Sequence, residues 1–432
     1  ESRGDAPYLG RDLWFAIPQN ASPNNHSQKY FNIYVTSPRN TTVNFQVGKG
    51  KITKKPVTAG KVTVFTSPTP KSPGGDISVS TEITSSGVVE TEKAIHIWSD
   101  NADIAVYFLS RVPYTSDGMY VLPSIGWGKE YVVGAYSSLL VPQNLADYPS
   151  EFVVVANQDN TTITVIPSYD LRKDGVPNVP DHKKGIPFTQ NLNKGDCIQY
   201  QVTGASTGDE DATGTIITSN NPIGVMGASV CPFINPSDPY CDYILDMLQP
   251  VRSWSKTYYT APFAGRKYGG DVFLLVGSKD GQIVYQNGSP VSLSRYQAYF
   301  QDVVTNPTLW SSTEPFMLVQ YVPSATHGVP QNQQRNLGDP AMVVINPAEQ
   351  FNKKVIFQTP TIDLASGQKN FTNYVNILLP AAHESKTTYD GKLISLTPAG
   401  VQKVDKYVIP GTAPAWEALR FTYNPGVGEG KN

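Results

Sequence analysis

Cysteine is almost absent from this chain: three residues in 432, too few to staple a scaffold, so the fold must be held by its own core. Charge is sparse as well. Asp, Glu, Lys and Arg make up 16% of the residues, and 34 basic against 36 acidic groups leave a net charge of −2 with no basic stripe. That balance gives no electrostatic footprint for nucleic acid or an anionic membrane. No apolar run approaches the ~20 residues that a membrane-spanning helix needs. The five histidines (His26, His96, His182, His327, His383) are scattered, with no metal-ligand spacing, no HExxH and no phosphate-cradling loop. The reading is of a non-enzymatic chain with no catalytic, metal or cofactor site.

What is abundant is glycine and proline, 35 of each. Helix interiors tolerate neither, at about 1 and 3 kcal/mol relative to Ala. Val, Ile, Thr, Tyr and Phe fill the stretches between, and their branched or flat side chains suit a pleated strand. The chain reads as all-β.

The sequence also repeats. A small residue, a basic one and an apolar run open at Gly10-Arg11-Asp12-Leu13, Gly128-Lys129-Glu130-Tyr131 and Ser255-Lys256-Thr257-Tyr258, and more faintly at Asn352-Lys353-Lys354-Val355. A large apolar residue precedes each: Leu9, Trp127, Trp254 and Phe351. A strand and a polar turn follow, the turns being Asn40-Thr41-Thr42, Asn160-Thr161-Thr162, Asp280-Gly281-Gln282 and Lys386-Thr387-Thr388. Later come Ser219-Asn220-Asn221-Pro222 and Ser312-Thr313-Glu314-Pro315, each between two apolar runs and read as a second hairpin. Ser99-Asp100-Asn101-Ala102-Asp103 fits with one extra residue. Three copies close on an Asp ahead of an apolar run and Pro: Asp117 to Pro123, Asp242 to Pro250, Asp339 to Pro347. Recurrence at junctions marks these carboxylates as structural acceptors of backbone N–H groups.

This pattern predicts a tandem array of about four β-sandwich-like repeats, with a four-bladed propeller-like arrangement as the alternative. The expected boundaries are a leader at 1–9, then 10–127, 128–254, 255–351, and a divergent unit at 352–432 with a Gly-rich tail. Stretches of that length can each bury a core of their own. Three polar excursions, Tyr169 to Thr189, Gly204 to Thr213 and Ser324 to Gly338, are the expected carriers of binding residues.

Cys231 and Cys241 enclose a Pro-rich loop after an apolar run and are expected to be bridged, which points to an oxidising compartment. Cys197 is expected to be a buried free thiol. Asn20, Asn25, Asn40, Asn160, Asn287 and Asn370 head Asn-x-Ser/Thr sequons and are candidate glycosylation sites in a secreted protein. The acidic clusters Asp100 to Asp103 and Asp209 to Asp211 read as solvated turns, and Arg3-Gly4-Asp5 as a chance tripeptide on the terminus.

The stretch from Thr215 to Gly288 resembles the N-terminal domain of the IgGFc-binding protein family. Its Ser219-Asn220-Asn221-Pro222-Ile223, Cys231, Cys241-Asp242, Leu248-Gln249-Pro250-Val251, Trp254-Ser255-Lys256 and Gly269-Gly270-Asp271-Val272 carry the likeness. Asp339-Pro340-Ala341-Met342 and Phe371-Thr372-Asn373-Tyr374 extend it. The resemblance implies a secreted or cell-surface, repeat-built β module for adhesion or extracellular structure. The leading expectation is a non-enzymatic protein that takes an extracellular protein or glycan ligand and associates with itself into filaments or layers, with a soluble lectin-like module that binds glycans or glycoproteins as the alternative.

Overall fold

The computed structural model describes residues 8–423 outside 22–28, 69–73, 113–114, 138, 142–145, 205–208, 235–239, 267, 331, 334–335, 337, 358–372 and 397–400. Asn25, Asn370 and Arg3-Gly4-Asp5 therefore lie outside the described residues. Among the described residues there are strands and short 3-10 turns and no α-helix, as the spacing of Gly and Pro requires.

One pairing plan recurs along the chain. The opening strands Gly128–Val132 and Ser255–Thr260 pair with the first halves of two long strands, Ile216–Ser229 and Thr308–Val322. The second halves of the same strands pair with Ser150–Ala156 and Asp271–Gly277. The stretches with Asn220-Asn221-Pro222 and Glu314-Pro315 are therefore not hairpins, as their polarity suggests, but the middles of continuous strands. Their polar groups are satisfied by the neighbouring turn: Thr162 N donates to Asn220 Oδ1 at 2.8 Å, and Asn220 Nδ2 donates to Asn160 O at 2.9 Å. In the first copy the corresponding strand is split into Ile95–Ser99 and Ala105–Val112, and the extra residue between Ser99 and Asp103 sits at the break.

Successive copies join through the same corner. A 3-10 turn follows each proline, at Ser124–Gly126, Val251–Ser253 and Ala348–Gln350, and ends on Trp127, Trp254 and Phe351. Trp127 Nε1 donates to Leu122 O at 3.0 Å and Trp254 Nε1 to Gln249 O at 3.3 Å, which locks the first two corners. Just beyond, Tyr131 Oη receives Gly128 N and donates to Ile223 O. Tyr258 Oη does the same between Ser255 N and Phe316 O. Leu13 occupies that position in the first copy, where Gly10 and Ile104 instead exchange backbone bonds. The faint fourth opening forms no strand at 352–357. It returns to the strand Ala105–Val112, where Tyr8 Oη and Tyr107 Oη donate to Ile356 O at 3.0 and 3.2 Å. A separate three-stranded sheet, Asn373–Pro380, Trp416–Tyr423 and Val401–Ile409, follows.

The cores are shared between copies. Val153, Val155, Met226 and Ala228 join the cluster of Leu13, Phe45, Phe65 and Phe108, while Phe152 and Val154 face a second cluster with Leu274 and Val276. Ser150–Ala156 and Asp271–Gly277 are buried on both faces because each strand lies between two layers. A length argument that allots one core to each copy misses this, since it takes no account of apolar residues on both faces of one strand.

Three strands, Thr115–Tyr120, Ile244–Met247 and Ala341–Val344, meet where the copies converge, and buried carboxylates tie them. Asp117 accepts N–H bonds from Gly118, Leu245 and Met342, and Asp246 from Met247 and Val344. Asp242 accepts from Ser116 N and Tyr243 N at 2.8 Å each. Asp117 and Asp242 thus accept backbone N–H groups as expected, whereas Asp339 is exposed, and one alignment needs correction. Val121, Leu248 and Ile345 hold equivalent backbone bonds, to Val106, Val225 and Leu318. That register sets Thr115, not Asp117, level with Asp242 and Asp339.

Candidate binding site

Two of the three polar excursions are packed into the fold. In the second, Glu210 is buried, and Asp211 accepts from Thr213 N at 2.8 Å and Ser150 Oγ at 3.2 Å. Glu210 and Asp211 of this acidic cluster therefore bracket strand ends, and only Asp209 is the exposed residue expected of a solvated turn. In the third, buried Asn336 accepts from Tyr268 N and donates to Tyr268 O and His327 O.

The first excursion projects. Leu171–Lys173 and Val176–His182 form a separate two-stranded ribbon with an irregular register, turning at Gly175, whose φ of 67° belongs to the left-handed region. It is anchored at both ends. Asp174 Oδ1 accepts Ser86 N at 2.9 Å, while Lys183 Nζ and Lys184 N donate to Asp170 at 2.9 and 2.8 Å. Burial pushes the Asp170 carboxyl up, yet these two lysines hold it below its ordinary value. His182 stacks on Phe188 with centroids 3.5 Å apart, and burial pulls its pKa down despite the adjacent Asp181. Val176, Val179 and Ile186 are left 41%, 45% and 61% exposed.

A cleft of about 390 Å³ lies between ribbon and scaffold, with Arg172, Asp174 and Val176 on one wall and Gln19, Thr84 and Ser85 on the other. A buried amide network underlies it. Gln201 Nε2 donates to Gln19 Oε1 at 2.9 Å and to Glu151 Oε2 at 2.6 Å, and Arg172 donates to Gln201 Oε1. Gln199 Oε1 receives Gln19 N at 3.0 Å. Burial pushes the Glu151 carboxyl well above its ordinary value, against the pull of Gln201 and Arg172. The walls offer donors, acceptors and an apolar rim, which suits recognition of a polar surface.

Among the described residues, no group of three or more His, Cys, Asp or Glu side chains is placed to hold a metal ion. Gly204-Ala205-Ser206-Thr207-Gly208 has the spacing of a nucleophile elbow. Gly204 follows the strand Cys197–Gln201, and Ala205 to Gly208 lie outside the described residues. No described helix is long and apolar enough to cross a membrane.

Cys231 and Cys241 form a disulfide with a Cα–Cα distance of 5.0 Å, packed against Ala21, Val230 and Tyr148. Replacing both by serine is expected to cost about 3 kcal/mol, given the ten-residue separation. Thermal melting of the double variant would show this as a downward shift, and an unchanged midpoint would refute it. Cys197 is a buried free thiol, and burial raises its pKa.

The sequons fall in unlike places. Asn40, Asn160 and Asn287 lie at exposed turns, the last two with φ of 55° and 47°. Asn20 is fully buried, and its side chain bonds Ser110 Oγ, Thr115 O and Thr115 Oγ1.

A family model described as IgGFc binding protein matches residues 117–423. No curated protein and no solved structure matches the chain.

Proposed function

The chain belongs to the IgGFc-binding protein family, and from that premise we propose that it is a secreted, non-enzymatic adhesion module that takes a protein ligand on its projecting ribbon. The observation that carries this reading is the ribbon itself. Among the described residues it alone of the three excursions holds large apolar side chains out to solvent, while its turn is held to the scaffold by the Ser86 N–Asp174 bond and its base is closed on itself between Lys184 N and Asp170. A fixed base reduces the ordering cost of binding, and exposed Val and Ile supply the area to bury. The Cys231–Cys241 bridge fits an oxidising compartment.

The scaffold is read as a tandem array of about four β-sandwich-like repeats, with copies of this chain joining edge to edge. Of the candidate glycosylation sites, exposed Asn40, Asn160 and Asn287 are proposed to carry glycans. Asn20 is left to the fold, since a glycan there would displace its hydrogen-bond partners.

Immobilised IgG Fc is the first probe, chosen from the family's description. The wild type should be retained, and the triple variant Val176→Ser/Val179→Ser/Ile186→Ser should bind at least tenfold more weakly. Equal retention of the variant would remove the ribbon as the site, and no retention of the wild type would reject Fc as the ligand. Light scattering on the same preparation tests self-association. Species heavier than the 47.1 kDa chain support it, and a single species at that mass rejects it.

A further inference from the structure

The sheet of Asp12–Phe15, Ile95–Ser99, Thr41–Val47 and Thr53–Val57 has an outer face that is only partly covered. Leu13, Phe15, Val43, Phe45, Ile95 and Ile97 all point into the core. Strand alternation therefore puts Asp12, Trp14, Asn44, His96 and Trp98 on the opposite face. Of the two tryptophans there, Trp14 is buried and belongs to the core, while Trp98 stays partly exposed.

These side chains form one stack. His96 lies between Trp14 and Trp98, with ring centroids 3.7 and 4.2 Å away and planes inclined by 11° and 18°. Asp12 fixes the stack from its edge. Its carboxylate accepts His96 Nε2 at 2.7 Å, Trp14 Nε1 at 3.1 Å and Ser124 Oγ at 2.6 Å. The two ends of the stack differ. Trp14 is closed off by the turn at Lys194 and Gly195, the ammonium standing 5.8 Å over its ring and Gly195 beside its edge. Trp98 keeps part of its surface exposed, and among the described residues His96 is the only ring stacked on it.

The flanking positions are polar. Register sets Asp12, Trp98, Asn44 and Lys54 in one row across four strands. Strands lie about 4.8 Å apart, so the backbone position of Asp12 is about 5 Å to one side of Trp98 and that of Lys54 about 10 Å to the other. The Asp12 side chain is 45% exposed and Lys54 is exposed. Asn44 is buried, and its amide donates to Trp98 O, which steadies the strand beneath the ring.

We propose that this face is a glycan-binding site in which a pyranose ring stacks on Trp98, with Asp12 accepting from and Lys54 donating to its hydroxyl groups. One face of a pyranose is a sheet of C–H bonds that matches an indole, while its rim carries hydroxyls that need donors and acceptors. A nucleobase would stack as well, but the chain carries no basic patch for its phosphates. Because His96, Trp14 and Asp12 already hold the Trp98 ring in place, little side-chain freedom is lost on binding.

The test is fluorine NMR of the full chain labelled with 5-fluorotryptophan, titrated with methyl β-galactoside, methyl α-mannoside and N-acetylglucosamine at millimolar concentration. The chain has six tryptophans. One resonance, the one missing from the Trp98→Phe variant, should shift with at least one sugar. Trp98→Ala should weaken that sugar's affinity at least tenfold with near-ultraviolet circular dichroism otherwise retained. Silence of the Trp98 resonance with all three sugars overturns the proposal, as does binding that survives Trp98→Ala. The wild-type titration stands even if the alanine variant fails to fold. Sugar binding here is separable from the ribbon: the Val176→Ser/Val179→Ser/Ile186→Ser variant should keep the fluorine shift.

Discussion

Gly227→Ala is expected to abolish the native fold. Gly227 lies in the second half of the strand Ile216–Ser229, paired with Phe152 on one side and Asp246 on the other. A Cβ built there would sit 1.8 Å from Gly134 O and 2.9 Å from Gly134 C. Both atoms are backbone, so no side chain can swing away. Gly134 is itself held, because Gly134 N sits between Val133, whose N–H donates to Thr215 O, and Ala135, whose N–H donates to Thr213 Oγ1. Relief would require one of two hydrogen-bonded segments to shift by more than 1 Å inside a close-packed core. The cost should exceed about 4 kcal/mol, at the far end of single-substitution effects. Urea denaturation of the variant, or its loss from the soluble fraction, would show it. A denaturation midpoint equal to that of the wild type would mean that the two backbones do not approach this closely.

The second large effect concerns the carboxylates where the three strands meet. Asp117→Ala removes the acceptor for Gly118 N, Leu245 N and Met342 N, groups from three parts of the chain. Each buried donor left without a partner costs about 1–3 kcal/mol. Burial also sets a pH dependence. It pushes Asp117 well above its ordinary value, Asp242 up to about 8 and Asp246 up to about 7, against the backbone N–H bonds that pull each of them down. In the unfolded chain all three ionise near pH 4. The native state therefore holds protons that the unfolded state has released, and stability falls as pH rises. The contribution is fully present below about pH 4 and is lost progressively through pH 7 to 8. The urea midpoint should decrease between pH 5 and pH 8, and Asp246→Asn should flatten that slope. A midpoint that climbs over this range would contradict the assignment of these groups as buried neutral acids.

Much of the architecture was legible from residue types. Gly and Pro every few residues exclude helices, and the openings at Gly10, Gly128 and Ser255 do begin equivalent strands or bridges. The prolines at 123, 250 and 347 mark real corners, because a proline can lead a 3-10 turn but not continue a ladder. Family membership was also legible, from short polar motifs between the apolar runs. The ribbon was visible only as a polar stretch, and the Trp14–His96–Trp98 stack not at all. Trp14 and His96 are far apart in sequence, and only the pairing of Asp12–Phe15 with Ile95–Ser99 brings them together. The one usable signal was the alternation Ile95-His96-Ile97-Trp98, which sets two aromatic rings on the face away from the isoleucines.

Local chemistry determined strand content, corners and the small residues at close approaches, since backbone sterics and side-chain shape act within a few residues. Partners across the fold were decided only by tertiary structure. Ser219–Pro222 reads as a turn but stays extended, because both halves of its strand find neighbours. Asp117 reads as the counterpart of Asp242 but is two positions out of register, since spacing to a proline is not the same as position in a ladder. Asn20 reads as an exposed sequon, yet Ser110 and Thr115 enclose it. In each case the deciding contact comes from tens of residues or more away, and no local preference of the chain encodes which distant strand will arrive.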